Sequence, residues 1–462
     1  MASAYLYKNQ GTATNAKKFT YSVWLKRSTV PVTADGNTQR FYQGYETSNN
    51  RFYSYFTDDN KLWIYAVTGG TIQLHWVSNR LFRDINAWYH IVFKGDTTQS
   101  AQADRFRVYV NGVEETSWTK NYNIAQNVDW GNLIAHTNND LTISGTESQG
   151  QMFDGLMSHI HFIDGTAYDA SAFGSTDTTT GEWKINTAPT VTYGNTGYFI
   201  LKDDNSNLDR SGNNNHFTIG GTLTKTEDCP SNVFATLNPL AGSTDATFSN
   251  GNTKVTFGTA SSRSIVSTTL GAINGKYYWE MKLGGSVHPN NITAGVGTKY
   301  AYDAGNTGVG GFNETWGITP WNGTVMNNGS SVGGTWATFA SGDIMQFAVN
   351  LDDEQSGLNK FYIGKNGTWL NGADPSNHSS TTGVVGITKP ENGSSGFLFP
   401  LFGDAGDSAT PAPEVNFGNG YFGTTEITTN TGTGFQDADG NGRFFYNPPT
   451  NFRCLSTKGL NQ

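Results

Sequence analysis

Two cysteines, Cys229 and Cys454, in 462 residues are too few for the disulfide framework of a small secreted domain. The residues leave two readings: two free thiols in a protein made in a reducing cytosol, or one bridge from mid-chain to the C-terminal tail. The Cα separation that decides between them is not written in the sequence. Charge is also scarce, at 15% of residues with a net of −9, and no basic cluster exceeds Lys17-Lys18 or Lys26-Arg27. Binding to a phosphate backbone draws on concentrated basic charge, so no nucleic-acid partner is expected. No window approaches the ~18 apolar residues of a membrane-spanning helix. Met1-Ala2-Ser3-Ala4-Tyr5 enters strand-like sequence without the basic and apolar regions of a secretory signal. A soluble protein without membrane insertion is expected.

Prolines number only 13, whereas glycine reaches 56, and 12 Trp, 21 Tyr and 28 Phe supply large apolar side chains for a packed interior. Asn, Thr, Ser and Gly take the place of surface charge, the composition of many short strands joined by tight turns. At this length one core is not enough, and two large domains are expected. The division falls at Asp228–Leu240, where Pro230 and Pro239 interrupt any periodicity; neither Cys229-Pro230 nor Asn238-Pro239 fits a helix or a central strand. The expected organisation is all-β: two antiparallel β-sandwich (jelly-roll) domains at 1–227 and 246–425, an extended linker at 228–245, and an extended tail at 426–462 lying along the surface.

In the first half, Phe19, Tyr21, Val23 and Leu25 share one face of FTYSVWLKRS. Strand patterns follow at Phe41–Gly44, Arg51–Phe56, Lys61–Ala66 and Thr71–Trp76, separated by Asn49-Asn50, Asp58-Asp59-Asn60 and Gly69-Gly70. Trp88–Phe93 and Arg105–Gly112 form a further pair ending in Asn-Gly. These motifs, with Phe153–Gly165, resemble the laminin-G-like, concanavalin A-like jelly roll over roughly residues 1–225. Within that family GLMSHIHFIDGTAYDASAFG, a following Trp183 and the DRSGNNNHFT turn resemble lectin-like modules of virion proteins from tailed bacteriophages.

The second half opens with a hairpin at Ala246–Phe257 and continues through GKYYWE (275–280), Ala294–Gly297, Asp343–Asp352, Lys360–Trp369, Phe399–Gly403 and Glu414–Gly418. Those motifs in that order resemble the SPRY domain over about 250–425, which implies a second two-sheet sandwich with partner-binding loops at one rim. Both halves run strand, polar loop, return strand and Asn-Gly, at Trp88–Gly112 and Asp343–Gly367; shared sandwich topology accounts for this without an internal repeat.

Candidate sites are few. Asp203 and Asp209 stand near the turn Leu208–Asn215, where the resemblance implies rim oxygens that hold calcium; the same residue types are also what turns are made of. The segment Asp437–Gly442 mimics half of a calcium loop but lacks its closing Glu, with Pro448 at that position, and reads as a turn. Glucan hydrolases of the superfamily use carboxylates on alternate residues of one strand. Here Lys282 stands where a partner of Glu280 would be, Glu114 and Glu115 are adjacent, and Asp352-Asp353-Glu354 falls in a loop. His159 and His161 lie on one strand face and read as a half-buried strand feature. No nucleophile elbow, zinc helix or phosphate loop appears.

The expectation is therefore a non-enzymatic virion structural protein with no resident cofactor, a fibre or adhesin-type module recognising host-surface glycan. It would be made in the host cytoplasm and displayed in multiple copies or as a homo-oligomer on the particle exterior, among other virion proteins. The alternatives are a capsid or tail decoration protein docking on those partners and, more remotely, a glycan hydrolase. Ligand is expected in the polar loops Gln99–Asp104, Thr137–Gln151 and Ala301–Glu314 rather than on sheet faces, with binding that weakens only slightly in salt.

Overall fold

A computed structural model describes residues 4–30, 38–130, 140–146, 150–202, 207–242, 245–258, 264–284, 292–298, 308–352, 359–387, 396–404, 410–428 and 434–460. The regular secondary structure is almost entirely β-strand, and the chain divides into two compact units, residues 1–224 with 229–231, and residues 225–228 with 232–462.

Among the described residues the first unit pairs an eight-stranded with a six-stranded antiparallel sheet. The larger runs Trp118–Tyr122, Thr71–Leu81, Lys61–Thr68, Asn50–Phe56, Gln39–Thr47, Asp140–Ile143, Tyr5–Asn9, Thr218–Gly220. The smaller runs Tyr198–Ile200, Gly155–Asp164, Lys18–Arg27, Tyr89–Asp96, Phe106–Val110, Val113–Glu114. The alternation Phe19, Tyr21, Val23, Leu25 faces the core, where Tyr21 meets Tyr42 at 4.4 Å between ring centroids and Phe19 meets Phe52 edge-on at 6.4 Å. Strand Asp140–Ile143 lies inside the stretch expected to be a polar insertion, with Leu141 and Ile143 in the core.

Lys18–Arg27 is buried on both faces because the outside of the six-stranded sheet is also covered. Val92, Tyr109 and Ile163 pack there beneath Tyr168, Phe173, Trp183, Val191 and Tyr193, all from the segment that follows Gly155–Asp164. Gly112 and Gly174 make room for this cover, since a Cβ on either would overlap the Trp183 ring.

Among the described residues of the second unit a seven-stranded sheet, from Leu237–Gly242 at one edge to Ser330–Thr335 at the other, faces a nine-stranded sheet. Trp279, Phe347 and Phe361, near-parallel rings on neighbouring strands, meet Ala294, Ile318, Val325 and Phe402 of the opposite sheet in one core. Most of the predicted linker belongs to this sandwich. Pro239 sits in edge strand Leu237–Gly242, where a missing N–H leaves no ladder bond open, and Phe234, Ala235 and Leu237 are fully buried.

The tail likewise departs from the expected surface course. Arg453–Cys454 pairs in parallel with Lys276–Lys282, and Phe444, Phe452 and Cys454 are buried against Tyr278 and Tyr362. Its aromatics outweigh its prolines, because burying a Phe contributes about 2 kcal/mol.

The two Asn-Gly hairpins share one construction. Asn111 and Asn366 both sit at φ 49°, followed by Gly112 at 79° and Gly367 at 89°, the left-handed conformations that favour this dipeptide. Each asparagine donates its N–H to the carbonyl of the facing strand residue, His90 or Ile344, and accepts that residue's N–H on Oδ1. Each turn glycine lies under an aromatic, Trp183 in the first unit and Tyr446 in the second.

Candidate functional site

The eight-stranded sheet carries an array that burial alternation alone does not mark. Phe52, Ser54 and Phe56 point inward, so Arg51, Tyr53 and Tyr55 point outward; Leu62 and Ile64 point inward, so Trp63 and Tyr65 point outward. The register places Tyr53 opposite Tyr65, Tyr55 opposite Trp63, and Tyr65 opposite His75. One row of rings crosses four strands: Tyr45 to Tyr53 at 6.5 Å and 9°, Tyr53 to Tyr65 at 6.4 Å and 21°, then Tyr65 to His75 at 5.7 Å. Tyr55, Trp63 and His75 form a second row at 5.4 and 4.9 Å. Cross-strand aromatic pairs of this kind contribute about 0.5–1 kcal/mol each to the sheet.

Two arginines lie on these rings. Arg40 stands 4.0 Å from the Tyr53 centroid and 5.8 Å from that of Tyr55; Arg51 stands 5.8 Å from Tyr53 and 5.5 Å from Tyr65. Arg40 donates to the amide oxygens of Gln43 and Gln151, both neutral. Among the described residues the indole N–H of Trp63 and the Nε–H of both arginines are buried without a hydrogen-bond partner. Such donors cost about 1–3 kcal/mol each while unmet. Burial raises the Tyr53 hydroxyl and pushes the Tyr55 hydroxyl up to about 12, so both remain neutral O–H donors at ordinary pH. Tyr45 at the end of the row is 39% exposed. The array thus combines ring surface, guanidinium groups and tyrosine hydroxyls, the means by which a protein holds oxygen-rich ligands.

The residues singled out from sequence are placed differently. Asp203 lies outside the described residues. Asp209 is buried, and its carboxylate accepts the N–H groups of Phe199, Ser211 and Asn215 and the Ser211 hydroxyl, at 2.7–2.9 Å. Four donors fill the acceptor positions of one carboxylate. Nearby Lys8, whose ammonium Asp209 stabilises while burial pushes its pKa down to about 8, already provides positive charge. A calcium ion would have to displace these contacts. Asp209 is therefore built as the organiser of the turn, and among the described residues no cluster of His, Cys, Asp and Glu could hold a metal.

His159 and His161 are separated by a β-bulge that shifts register between Ser158 and His161, with His159 at φ 47°. His161 is buried, stacked 3.9 Å from Phe199 and bonded through Nδ1 to the Tyr193 hydroxyl at 2.9 Å; burial holds its pKa well below the usual imidazole value. Glu114 pairs with Arg107 and Glu115 with Arg80. Glu280 is fully buried and accepts from Tyr278, Asn416 and the backbone N–H groups of Phe445 and Tyr446 at 2.7–3.1 Å; burial pushes its pKa up to about 7. In the turn at 437–442, Asp437 accepts the N–H groups of Asn441, Gly442 and Cys454, and Asp439 pairs with Arg453 at 2.6 Å. Both cysteines are unpaired thiols, Cys454 buried and raised in pKa by that burial.

Loop Gln99–Asp104 is a short pinned turn, its base held by Asp96, which accepts from Thr98 and Gln99. Residues 137–139, 147–149 and 301–307 lie outside the described residues. The array was present in the sequence as Arg51-x-Tyr53-x-Tyr55, Trp63-x-Tyr65 and His75, outward positions of three adjacent strands.

No curated protein sequence matches the chain. Among solved structures, the SPRY domain of human HERC1 is similar at 14% identity, with a TM-score of 0.29, covering 39% of this chain and 96% of that one. The heptameric SAP-like pentraxin of Limulus polyphemus is similar at 16% identity and a TM-score of 0.25, over 36% and 71%. The enzymatically active domain of Bacteriophage CBA120 tailspike protein 2 is similar at 14% and 0.26, over 37% and 25%. Residues 2–171 match the concanavalin A-like lectin/glucanases superfamily, laminin G type 3, which is the part of the chain carrying the aromatic array.

Proposed function

We propose that this chain is a non-enzymatic virion protein of a tailed bacteriophage that attaches to host-surface glycan through the outer face of the eight-stranded sheet. The observation that carries the proposal is the row Tyr45, Tyr53, Tyr65 and His75 with Arg40 and Arg51 set on it. A sheet face whose outward positions served solubility alone would carry Thr, Ser and Lys; this one carries rings and tyrosine hydroxyls, which suit sugar hydroxyls and ring C–H surface. The superfamily match over residues 2–171 and the sequence resemblance to phage virion modules support the reading. Of the carboxylates considered for hydrolysis, Glu114, Glu115, Glu280 and Asp352 have structural partners, consistent with adhesion without cleavage, and Asp353 and Glu354 lie outside the described residues. Binding through a single shallow face is weak, and many copies on a particle would hold a cell by avidity.

The test is adsorption of the purified full-length chain to host cells and to immobilised bacterial polysaccharide, with Tyr65→Ala and Tyr53→Ala as variants. Each should reduce binding about tenfold at unchanged folding, the loss of a stacking contact worth ~1.4 kcal/mol. A chain that binds neither cells nor polysaccharide yet is present in assembled particles would support the decorating role instead. Release of reducing ends, abolished by substituting one Asp or Glu, would establish a hydrolase.

A further inference from the structure

We infer that the ligand of this face is an acidic polysaccharide, one bearing carboxylate or sulfate groups; the inference rests on the glycan reading above and narrows it. Arg40 and Arg51 are both held against tyrosine rings; Arg40 gives its terminal nitrogens to Gln43 and Gln151, and Arg51, half-buried, is the guanidinium placed to meet an oxyanion. Bidentate guanidinium–oxyanion contacts are the strong form of hydrogen bond, and they are specific to planar acids. Among the described residues Arg40 is bonded to neutral amides and Arg51 rests on tyrosine rings, so a ligand oxyanion would supply their counter-charge.

The placement of charge also matters. The chain as a whole carries −9 with only 15% charged residues, and this row brings two arginines together on one sheet face. A uronic acid or sulfated polymer places about one charge on each sugar, a density that two guanidiniums can meet. Single-stranded nucleic acid also stacks on aromatics, but its denser charge draws on many basic groups, and a net negative protein opposes it.

The test uses the full-length chain against four probes: alginate oligosaccharide for carboxylate, heparin oligosaccharide for sulfate, neutral cello-oligosaccharide and an oligo-dT strand. The expected result is binding to alginate or heparin about tenfold tighter than to the neutral sugar, weakening severalfold between about 50 and about 300 mM NaCl. Arg51→Gln should remove most of that preference, bringing acidic and neutral sugars to within about twofold of each other. Arg51→Lys should restore part of it, because it returns the charge without the planar fork. Equal binding of acidic and neutral sugars, indifferent to Arg51→Gln, would overturn the acidic ligand and leave the glycan reading intact. Failure of all three sugars to bind would overturn both readings. Tighter binding of oligo-dT than of any sugar would also overturn both, in favour of a single-strand nucleic-acid face.

Discussion

The Trp183 indole N–H donates to His90 Nδ1 at 2.9 Å, and the opposite nitrogen of that imidazole, Nε2, lies 2.8 Å from the Ser22 hydroxyl. With Nδ1 accepting, the ring proton sits on Nε2 and is donated to Ser22. His90 is fully buried and stacks 4.6 Å from Trp24 at 15°, so the covering segment of the first unit is pinned to its sheet through one neutral imidazole. Burial pushes the His90 pKa down to about 3, which keeps it in that state.

Trp183→Phe keeps most of the ring packing and deletes the donor, leaving a buried acceptor unmet. The expected loss is about 1–2 kcal/mol in the unfolding of the first unit, with the transition of the second unit unmoved. Chemical denaturation followed at two probes, one in each unit, checks this. Gly112→Ala should cost at least as much, since a left-handed φ and an overlap with the Trp183 ring add together.

The two units should respond to acid in opposite directions. His90 and His161 have folded pKa values below the unfolded value near 6.5, so the unfolded first unit binds more protons and its stability falls as pH drops below about 6.5, by ~1.4 kcal/mol per pH unit for each histidine. Asp154, raised by burial, offsets part of this at the acid end. Glu280 is raised from 4.5 to about 7, so its contribution is fully present below about 4.5 and is lost as pH rises through 7. The second unit should therefore gain up to about 3 kcal/mol between pH 7 and pH 4.5 from this group. Calorimetry across that range should show the two transitions moving apart or crossing. A second unit insensitive to pH, or a Glu280→Gln variant that keeps the wild-type pH slope, would show that Glu280 is not the titrating group.

What the sequence revealed follows from where hydrophobic alternation is clean. Phe19 to Leu25 and the Asn-Gly hairpins are local signals, and both are realised in the fold. Asp140–Ile143 offers only two inward residues between turn formers, too short a run to show a period. In Arg51-Phe52-Tyr53-Ser54-Tyr55 the outward tyrosines are as aromatic as the inward phenylalanines, so the composition hides which face is wet. Only the register, which sets Tyr53 beside Tyr65 and Tyr55 beside Trp63, turns separate strands into one array. The part Asp209 plays in its turn was hidden for a similar reason: its donors come from residues 199, 211 and 215, and the sequence does not show that they converge.

The tail offers a direct test of its burial. Deleting residues 435–462 removes Phe444, Phe452 and Cys454 from the second unit and empties the Glu280 carboxylate of its two backbone donors. A surface tail could be removed for under about 0.5 kcal/mol. This deletion should cost several kcal/mol, at about 2 kcal/mol per buried phenylalanine plus an uncompensated buried carboxylate. Circular dichroism and thermal melting of the truncated chain would report it.

The last prediction concerns where the second unit begins. Residues 232–237 close on the chain end: Ala235 N–H donates to Leu455 O at 2.8 Å, Thr457 N–H to Val233 O at 2.9 Å, and Val233 N–H to the Thr457 hydroxyl at 3.0 Å. Phe234 and Leu237 are fully buried, and Leu237–Gly242 is an edge strand of the seven-stranded sheet. A fragment of residues 232–462 should therefore unfold in one cooperative β-type transition, as should a fragment of residues 1–224. A fragment starting at 246 keeps every strand motif recognised in that half of the sequence but loses the buried Phe234, Ala235 and Leu237 side chains and the partner of the tail. That omission costs about 4 kcal/mol, much of a domain's net stability. If fragments 232–462 and 246–462 melt at the same temperature, the segment after Pro230 is a linker after all, and its burial contributes nothing to the fold.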